Sequence, residues 1–358
     1  MKRRQRTPCL TRRKTIIFGL ASLGFTVILT LAAAEFLARL IGIRPWTNED
    51  LGIHVAPGGR LFTPHPALGY AQLPGSFVVT LRDGYSFALT HLPSGHRITH
   101  PLATYTHTRS KPEIWIFGCS FTHGWSLQDQ ETYPWLLQAR LPDHEVLNYG
   151  VEGYGTLHVL IQLWEALATQ PPPHLVIYAY TSLHDERNTF LRKRRKYVAP
   201  WNRLGPLGQP YARLTPDGTL HYGFAPVAFT PWPLMSTSAL VHFGEMLYDQ
   251  LEDRWARSHE VSKRLLLEVA ALTQRTQSQF LLATIAEDAS SRKMLAFARS
   301  KGLMAVDISV DSSRPEYRNL PHDSHPSPLA NVSYAEGLES FVRIGILQKN
   351  GVPADPVP

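Results

Sequence analysis

The stretch EIWIFGCSFTHG, residues 113–124, joins a short apolar run to an abrupt turn. The run reads as a strand, Gly118 lets the chain turn tightly, and Ser120 stands just beyond the strand's carboxyl end. Around it the pattern repeats. TYPWLLQARL (132–141) is helical, EVLNYG (145–150) is a second strand, TLHVLIQLWEALA (156–168) is a helix and HLVIYAY (174–180) is a third strand. Strands alternating with helices imply parallel pairing through right-handed crossovers. The expected fold is therefore α/β, a three-layer α/β/α sandwich with a mostly parallel sheet.

Further along, a long helical stretch is expected from about Ser238 to Thr276, then strand QFLLATI, helix SSRKMLAFARS, strand LMAVDIS and a last helix from Ala330 to about Leu347. Between the third strand and this second half lies an insertion, about 192–236, rich in Pro and Gly. Its RLTPDGTLHYGF predicts a hairpin turning at Asp217-Gly218, and its place after a strand suits a lid or a substrate platform. The basic run from Arg192 to Lys196 reads as a solvated loop. Upstream, residues 44–111 form a β-rich lead-in, in which SFVVTLRDGYSFALT flanks an Asp-Gly turn with β-formers. The core domain then spans 112–348, followed by a flexible tail at 349–358.

The formal net charge of +7 has one address. Lys2, Arg3, Arg4, Arg6, Arg12, Arg13 and Lys14 account for all of it, so the basicity belongs to a tail, residues 1–14, and nucleic acid is not the expected partner. TIIFGLASLGFTVILTLAAA, Thr15 to Ala34, follows without a charge, and about 20 apolar residues cross a bilayer core. Lys and Arg precede it and Asn48, Glu49 and Asp50 follow. Residues 15–43 are thus expected to be a transmembrane signal anchor, with the N-terminus cytoplasmic and the rest extracytoplasmic, periplasmic or extracellular. Ala32-Ala33-Ala34 leaves a cleaved signal peptide as the alternative. Of the two cysteines, Cys9 and Cys119 would lie on opposite sides, and no disulfide framework or zinc spacing is present.

Four blocks carry the chemistry. GCSFTHG (118–124) resembles the GDSFTxG form of the first block of the SGNH/GDSL hydrolases, with Cys119 where that block usually has Asp. NYGVEGYGT (148–156) resembles the second block, whose glycine N–H helps bind an oxyanion. The resemblance gives that role to Gly153. TSLHDERN (181–188) stands where the third block, Gly-x-Asn-Asp, would lie. It lacks the Asn in register, so His184 or, alternatively, Asn188 takes the place of the side-chain oxyanion donor. HDSHP (322–326) resembles the Asp-x-His-Pro block.

The resemblance covers about 113–347 outside the insertion. It implies a membrane-anchored serine esterase in which Ser120 is the nucleophile, His325 the general base and Asp323 its orienting acid. The oxyanion would be held by the N–H groups of Ser120 and Gly153 with His184 or Asn188. No metal or organic cofactor is implied. The substrate class is an acyl ester, with O-acetyl esters and acylated envelope glycans suggested by location. Two alternatives remain: an O-acyltransferase acting on an envelope glycan, and a non-catalytic SGNH-fold binding or assembly protein. Trp125, Tyr133, Trp135 and Tyr154 near the blocks read mainly as core, with stacking on sugars as the second reading.

Overall fold

A computed structural model of the chain describes residues 12–48, 50–104 and 111–343. The basic residues 2–6, Cys9 and the tail at 349–358 lie outside them. In chain order come helix α1 (Arg12–Leu40) and strands β1 (His54–Ala56), β2 (Phe62–His65), β3 (Gly69–Gln72), β4 (Gly75–Thr80) and β5 (Ser86–His91). Next are β6 (Glu113–Phe117), α2 (Ser120–His123), α3 (Tyr133–Arg140), β7 (Glu145–Asn148), α4 (Thr156–Thr169), β8 (Leu175–Tyr180), α5 (Leu183–Thr189) and α6 (Arg192–Val198). The chain continues through β9 (Gly208–Leu214), β10 (Leu220–Pro226), α7 (Ala239–Ala256), α8 (Ser258–Arg275), β11 (Gln279–Thr284), α9 (Ala289–Ser300), β12 (Met304–Asp307) and α10 (Pro328–Val342).

The described residues separate into two compact units, one drawn from 1–49 with 230–251 and the other from 50–229 with 252–358. In the larger unit a five-stranded sheet runs β12-β11-β8-β6-β7, with every neighbouring pair parallel. Both of its faces are covered, which is why its strands read as unbroken apolar runs. On one face Ile114, Ile116, Leu175, Ile177, Leu281 and Ala283 pack with Leu137 of α3 and Tyr334 and Leu338 of α10. The alternate residues Trp115, Phe117, Val176, Tyr178, Phe280 and Leu282 pack with Val159 and Leu163 of α4, Leu266 and Val269 of α8 and Met294 of α9. This is the expected three-layer α/β sandwich.

Three local expectations change, and the third block acquires an element. The helical stretch from 238 to 276 is two helices, because Arg257 adopts a left-handed conformation (φ 53°) that ends α7 before α8 starts. The basic run is a helix, α6, with Leu191, Arg194 and Val198 buried along one stripe, Lys193 exposed and Arg192, Arg195 and Lys196 half-buried. The third block is also helical, as α5, and largely buried. The last helix begins two residues early because Ser327 caps it, accepting from the Ala330 N–H, with Pro328 at its first position.

The lead-in forms a β1-β4-β5 antiparallel sheet, turning at Asp83-Gly84, and a β2-β3 hairpin. The insertion supplies the β9-β10 hairpin, turning at Asp217-Gly218. Lead-in residues Phe62, Tyr70 and Phe87 share a cluster with Trp125 and Tyr154 of the core domain and with Val198, Leu204 and Val227 of the insertion.

Arg97, just after β5, is wholly buried and welds the lead-in to the core domain. Its guanidinium donates to Asp129 Oδ1 at 2.9 Å and to the carbonyls of His123 (3.0 Å), Gly124 (2.5 Å), Leu127 (2.7 Å) and Ala88 (3.1 Å). Each of its three nitrogens is used, so the buried charge is fully satisfied. Removing one partner of such a pair strands the other. Arg97→Ala is expected to lower stability by about 3–5 kcal/mol in urea melts, and Arg97→Lys, which lacks the fork, should restore little of it.

In the smaller unit Glu35, one residue beyond the uncharged run of α1, caps α7. Its carboxylate accepts from the N–H groups of Ala239 (3.0 Å) and Leu240 (2.9 Å) and from Ser238 Oγ (2.7 Å). Arg39 bonds both Glu35 (2.7 Å) and the Thr237 carbonyl (2.9 Å).

Candidate active site

Ser120 opens the short helix α2 directly after β6, and Gly118 makes this turn possible. A Cβ at Gly118 would stand 2.0 Å from Thr122 Oγ1. Ser120 Oγ lies 3.0 Å from His325 Nε2, and His325 Nδ1 lies 3.1 Å from Asp323 Oδ2. Asp323 Oδ1 also accepts from the His325 backbone N–H at 2.9 Å, so a single carboxylate fixes both the ring and the peptide of the base. Phe121 packs edge-on to the imidazole with ring centroids 5.7 Å apart. The chain positions 205 residues apart thus meet as a hydrogen-bonded Ser-His-Asp row.

A further residue completes the row. Ser126 Oγ donates to Asp323 Oδ1 at 2.9 Å and accepts from Asn319 Nδ2 at 3.0 Å, while Tyr85 Oη and Asn319 Nδ2 both donate to the Ser126 carbonyl. Ser126 holds a left-handed backbone (φ 62°), unusual for a residue with a Cβ, and these bonds on both sides keep it there. Burial pushes the Asp323 carboxyl pKa up, but the bond and charge of His325, its backbone N–H and the Ser126 hydroxyl together hold it below the usual carboxylate value. Asp323 is therefore ionised at neutral pH, as an orienting acid must be. No block motif contains Ser126 or Asn319, so sequence reasoning missed both.

Gly153 adopts φ 80°, and a Cβ there would stand 2.6 Å from Tyr70 Oη and 2.7 Å from Arg194 Nη2. A side chain there would be strained at this φ and would have to displace both groups. Arg194 donates Nη2 to the Gly153 carbonyl at 3.0 Å, and Tyr70 Oη donates to the Glu152 carbonyl at 2.6 Å, so the peptides around Gly153 are clamped. The N–H groups of Ser120 and Gly153 have no acceptor among the described residues. Arg194 is fully buried, and burial beside Arg187 lowers it only to about 10, which leaves it charged. Its signal was present in the sequence: Leu191, Arg194 and Val198 are spaced i, i+3, i+7, the stripe a helix buries.

The third block is placed differently from the expectation. His184 is buried with Nδ1 on Tyr178 Oη at 2.7 Å. Asn188 accepts from the Leu157 N–H at 3.0 Å and donates to Thr156 Oγ1 (2.9 Å) and Ser262 Oγ (2.8 Å). Neither lines the cavity at Ser120. On α5 their i, i+4 spacing directs them together toward the start of α4, where Asn188 bridges α4 and α8. In this structure Asn188 ties α5 to α4 and α8, His184 ties it to Tyr178 of β8, and neither side chain reaches Ser120.

The cavity holds about 280 Å³ and is lined by Ser120, Asp323, His325 and Glu152, with Trp125, Tyr197, Trp201, Phe62, Leu51, Ile53, Leu81 and Leu204 as its apolar walls. Of the aromatics singled out in the sequence, Trp125 reaches this wall, Tyr133 and Tyr154 are core, and Trp135 is half-buried. Cys119 is a free, buried thiol.

Glu152, at the cavity floor, ends a buried chain. His91 Nδ1 meets the Leu73 carbonyl at 2.8 Å, His91 Nε2 meets His123 Nε2 at 2.9 Å, and His123 Nδ1 lies 2.6 Å from Glu152 Oε1. Glu152 Oε2 accepts from Gln72 Nε2 at 3.0 Å. A carbonyl only accepts, so His91 carries its proton on Nδ1, and burial lowers its pKa to about 3, keeping it neutral. His123 must then donate from Nε2, which leaves Nδ1 and a carboxylate oxygen facing each other with one proton shared between them. Burial raises the Glu152 pKa, and the charge and hydrogen bond of His123 more than offset it, so the net displacement is downward from 4.5.

No protein-family model matches the chain, and no curated protein sequence matches it. Solved structures to which it is similar include a member of the lipolytic protein G-D-S-L family from Veillonella parvula DSM 2008, at 11% identity and TM-score 0.40 over 65% of this chain and 99% of that one. A GDSL-like lipase from Bacteroides thetaiotaomicron VPI-5482 is similar at 11% identity and TM-score 0.36 over 69% and 93%. An active-site mutant of a family two carbohydrate esterase from Clostridium thermocellum is similar at 7% identity and TM-score 0.37 over 66% and 64%.

Two outcomes test the site. A hydrogen bond to a charged group contributes about 1.5 kcal/mol, so Ser126→Ala should lower kcat of an ester assay about tenfold with the fold intact by circular dichroism. A carboxyl whose folded pKa is depressed stabilises above its unfolded value and loses that contribution as pH falls through the folded one. The stability difference between wild type and Glu152→Gln should therefore be full above pH 4.5 and shrink as the pH drops below it, measured by urea melts across that range.

Proposed function

We propose that the chain is a membrane-anchored serine esterase of the SGNH/GDSL kind that hydrolyses acyl esters through an acyl-serine intermediate. The carrying observation is the 3.0 Å contact of Ser120 Oγ with His325 Nε2, in line with the 3.1 Å contact of His325 Nδ1 with Asp323, at the wall of an apolar cavity. In this reading His325 takes the Ser120 proton as Oγ attacks the ester carbonyl. The N–H groups of Ser120 and Gly153 bind the oxyanion, with the Arg194 charge beside them. Protonated His325 then gives its proton to the departing alkoxide. In the second half His325 takes a proton from water, whose oxygen attacks the acyl-enzyme, and Ser120 is regenerated. Asp323 holds the imidazole in the tautomer both halves need.

The ordered row of three residues favours a catalyst over a binding module. The aromatic and aliphatic walls favour a small apolar acyl or aryl group on one side of the ester. Transfer of the acyl group to a glycan hydroxyl uses the same intermediate, and it is separated from hydrolysis by product analysis with a sugar acceptor.

Helix α1 has a mean hydropathy of 2.3 over its most apolar window, is exposed, and at 29 residues exceeds the roughly 20 that cross a bilayer core. With the basic residues before it, this supports a span whose catalytic unit lies outside the cytoplasm. A periplasmic reporter such as alkaline phosphatase fused after Ile43 should be active; activity of a cytoplasm-only reporter there would reverse the orientation.

The decisive assay compares p-nitrophenyl acetate and butyrate hydrolysis by wild type, Ser120→Ala and His325→Ala. Both variants should lose more than about 10²-fold in kcat/KM, and a fluorophosphonate should label wild type at Ser120. Equal background rates in all three, with no labelling, would sink the esterase reading.

A further inference from the structure

Helix α7 is amphipathic in the reverse of the usual sense. Leu240, Phe243, Leu247 and Leu251 recur at i, i+3, i+7 and i+11 and so share one face, while His242, Glu245 and Asp249 occupy the opposite one. In a helix facing water the polar stripe is exposed. Here Glu245 and Asp249 are buried, and Leu247 and Leu251 are 45% and 42% exposed, with Met246 at 42% on the flank. Leu234, in the strap leading to α7, is 69% exposed. An apolar surface of this extent on a helix marks contact with something other than water.

The depth at which α7 starts identifies that contact. Glu35 follows the uncharged run of α1 directly, and its carboxylate holds the first N–H groups of α7, those of Ala239 and Leu240, at 3.0 and 2.9 Å. Arg39 and the Thr237 carbonyl reinforce the joint. The strap is held as well, since the Trp46 N–H donates to the Met235 carbonyl at 3.0 Å and His242 Nδ1 donates to the Arg44 carbonyl at 2.7 Å. The first turn of α7 is thus fixed where the hydrocarbon-length run ends.

Resting on the reading of α1 as a membrane span, we propose that α7 is an interfacial helix lying on the lipid surface of the leaflet that α1 leaves at Glu35, with Leu240, Phe243, Leu247 and Leu251 set into the acyl boundary. From Ala239 to Leu251 it covers about 18 Å along that surface. The opposite face brings acids and no Lys or Arg in this stretch, so attachment is apolar and does not call for anionic lipid.

The test uses the full chain in phosphatidylcholine nanodiscs, with Cys9→Ser as background and single nitroxide labels at Leu247→Cys, Leu251→Cys, Ile28→Cys in α1 and Asp217→Cys in the β9-β10 turn. Cys119 is buried, and an unlabelled background confirms its silence. Collision rates with oxygen and with a water-soluble nickel chelate are compared. The inference expects labels at 247 and 251 to shift from the aqueous pattern of 217 to the lipid pattern of 28. If 28 is lipid-like and both α7 labels match 217, the interfacial helix is overturned while the span stands. If 28 itself is aqueous, the span fails and the inference with it. Labels at 247 and 251 shielded from both reagents and broadened by a neighbouring spin would put a second copy of the chain on this face instead, which also overturns it. Because both replaced side chains are exposed, loss of folding at one site leaves the other to decide.

Discussion

Everything near Ser120 depends on how a buried guanidinium is satisfied. Arg97 comes from the lead-in, yet most of its acceptors belong to the loop that follows the nucleophile: the carbonyls of His123, Gly124 and Leu127, and the Asp129 carboxylate. A charge taken out of water at this cost demands all its partners at once. The loop therefore has one conformation open to it, and the same conformation places Ser126 under Asp323. Asp323, its partner Ser126 and Ser120 are thus braced from a segment outside the parallel sheet. The lead-in is therefore part of the frame that positions Ser120 and Asp323.

The buried row of His91, His123 and Glu152 is a second constraint of the same type. The Leu73 carbonyl fixes its polarity at one end, and the Glu152 carboxylate closes it at the other. Tyr70 and Arg194 then clamp the carbonyls of Glu152 and Gly153. The glycine whose N–H has no acceptor among the described residues is thus held on both sides, so that N–H keeps a fixed direction.

Much of this was legible in the sequence where the physics is local. The parallel sheet announced itself through short strands with apolar residues on both faces, as in residues 114–117 and 175–180. The Asp-Gly turns at 83–84 and 217–218 marked the β4-β5 and β9-β10 hairpins, and the blocks at 118–124 and 322–326 held Ser120, His325 and Asp323, which the fold brings within hydrogen-bond reach. What stayed hidden was set by partners distant in the chain. Ser126 and Asn319 are ordinary polar residues until the fold sets Ser126 between Asn319 and Asp323. Asn188 looked free to reach a ligand, but its capacity is spent on Thr156, Leu157 and Ser262. Arg194 looked like one solvated cation among five, and only the helical spacing of its apolar neighbours distinguished it. The break at Arg257 has no Gly or Pro to signal it.

Apart from Trp125 and Glu152, the cavity walls and the Ser-His-Asp row come from different parts of the chain. Ser120, Asp323 and His325 stand on loops at the ends of the parallel sheet. Leu51, Ile53, Phe62 and Leu81 belong to the lead-in, and Tyr197, Trp201 and Leu204 to the insertion. Most of the wall and the hydrogen-bonded row are thus carried by different segments of the chain. Substitutions among the lead-in and insertion residues of the wall can therefore reshape the cavity while the sheet, and the row of side chains at the ends of its strands, go unchanged.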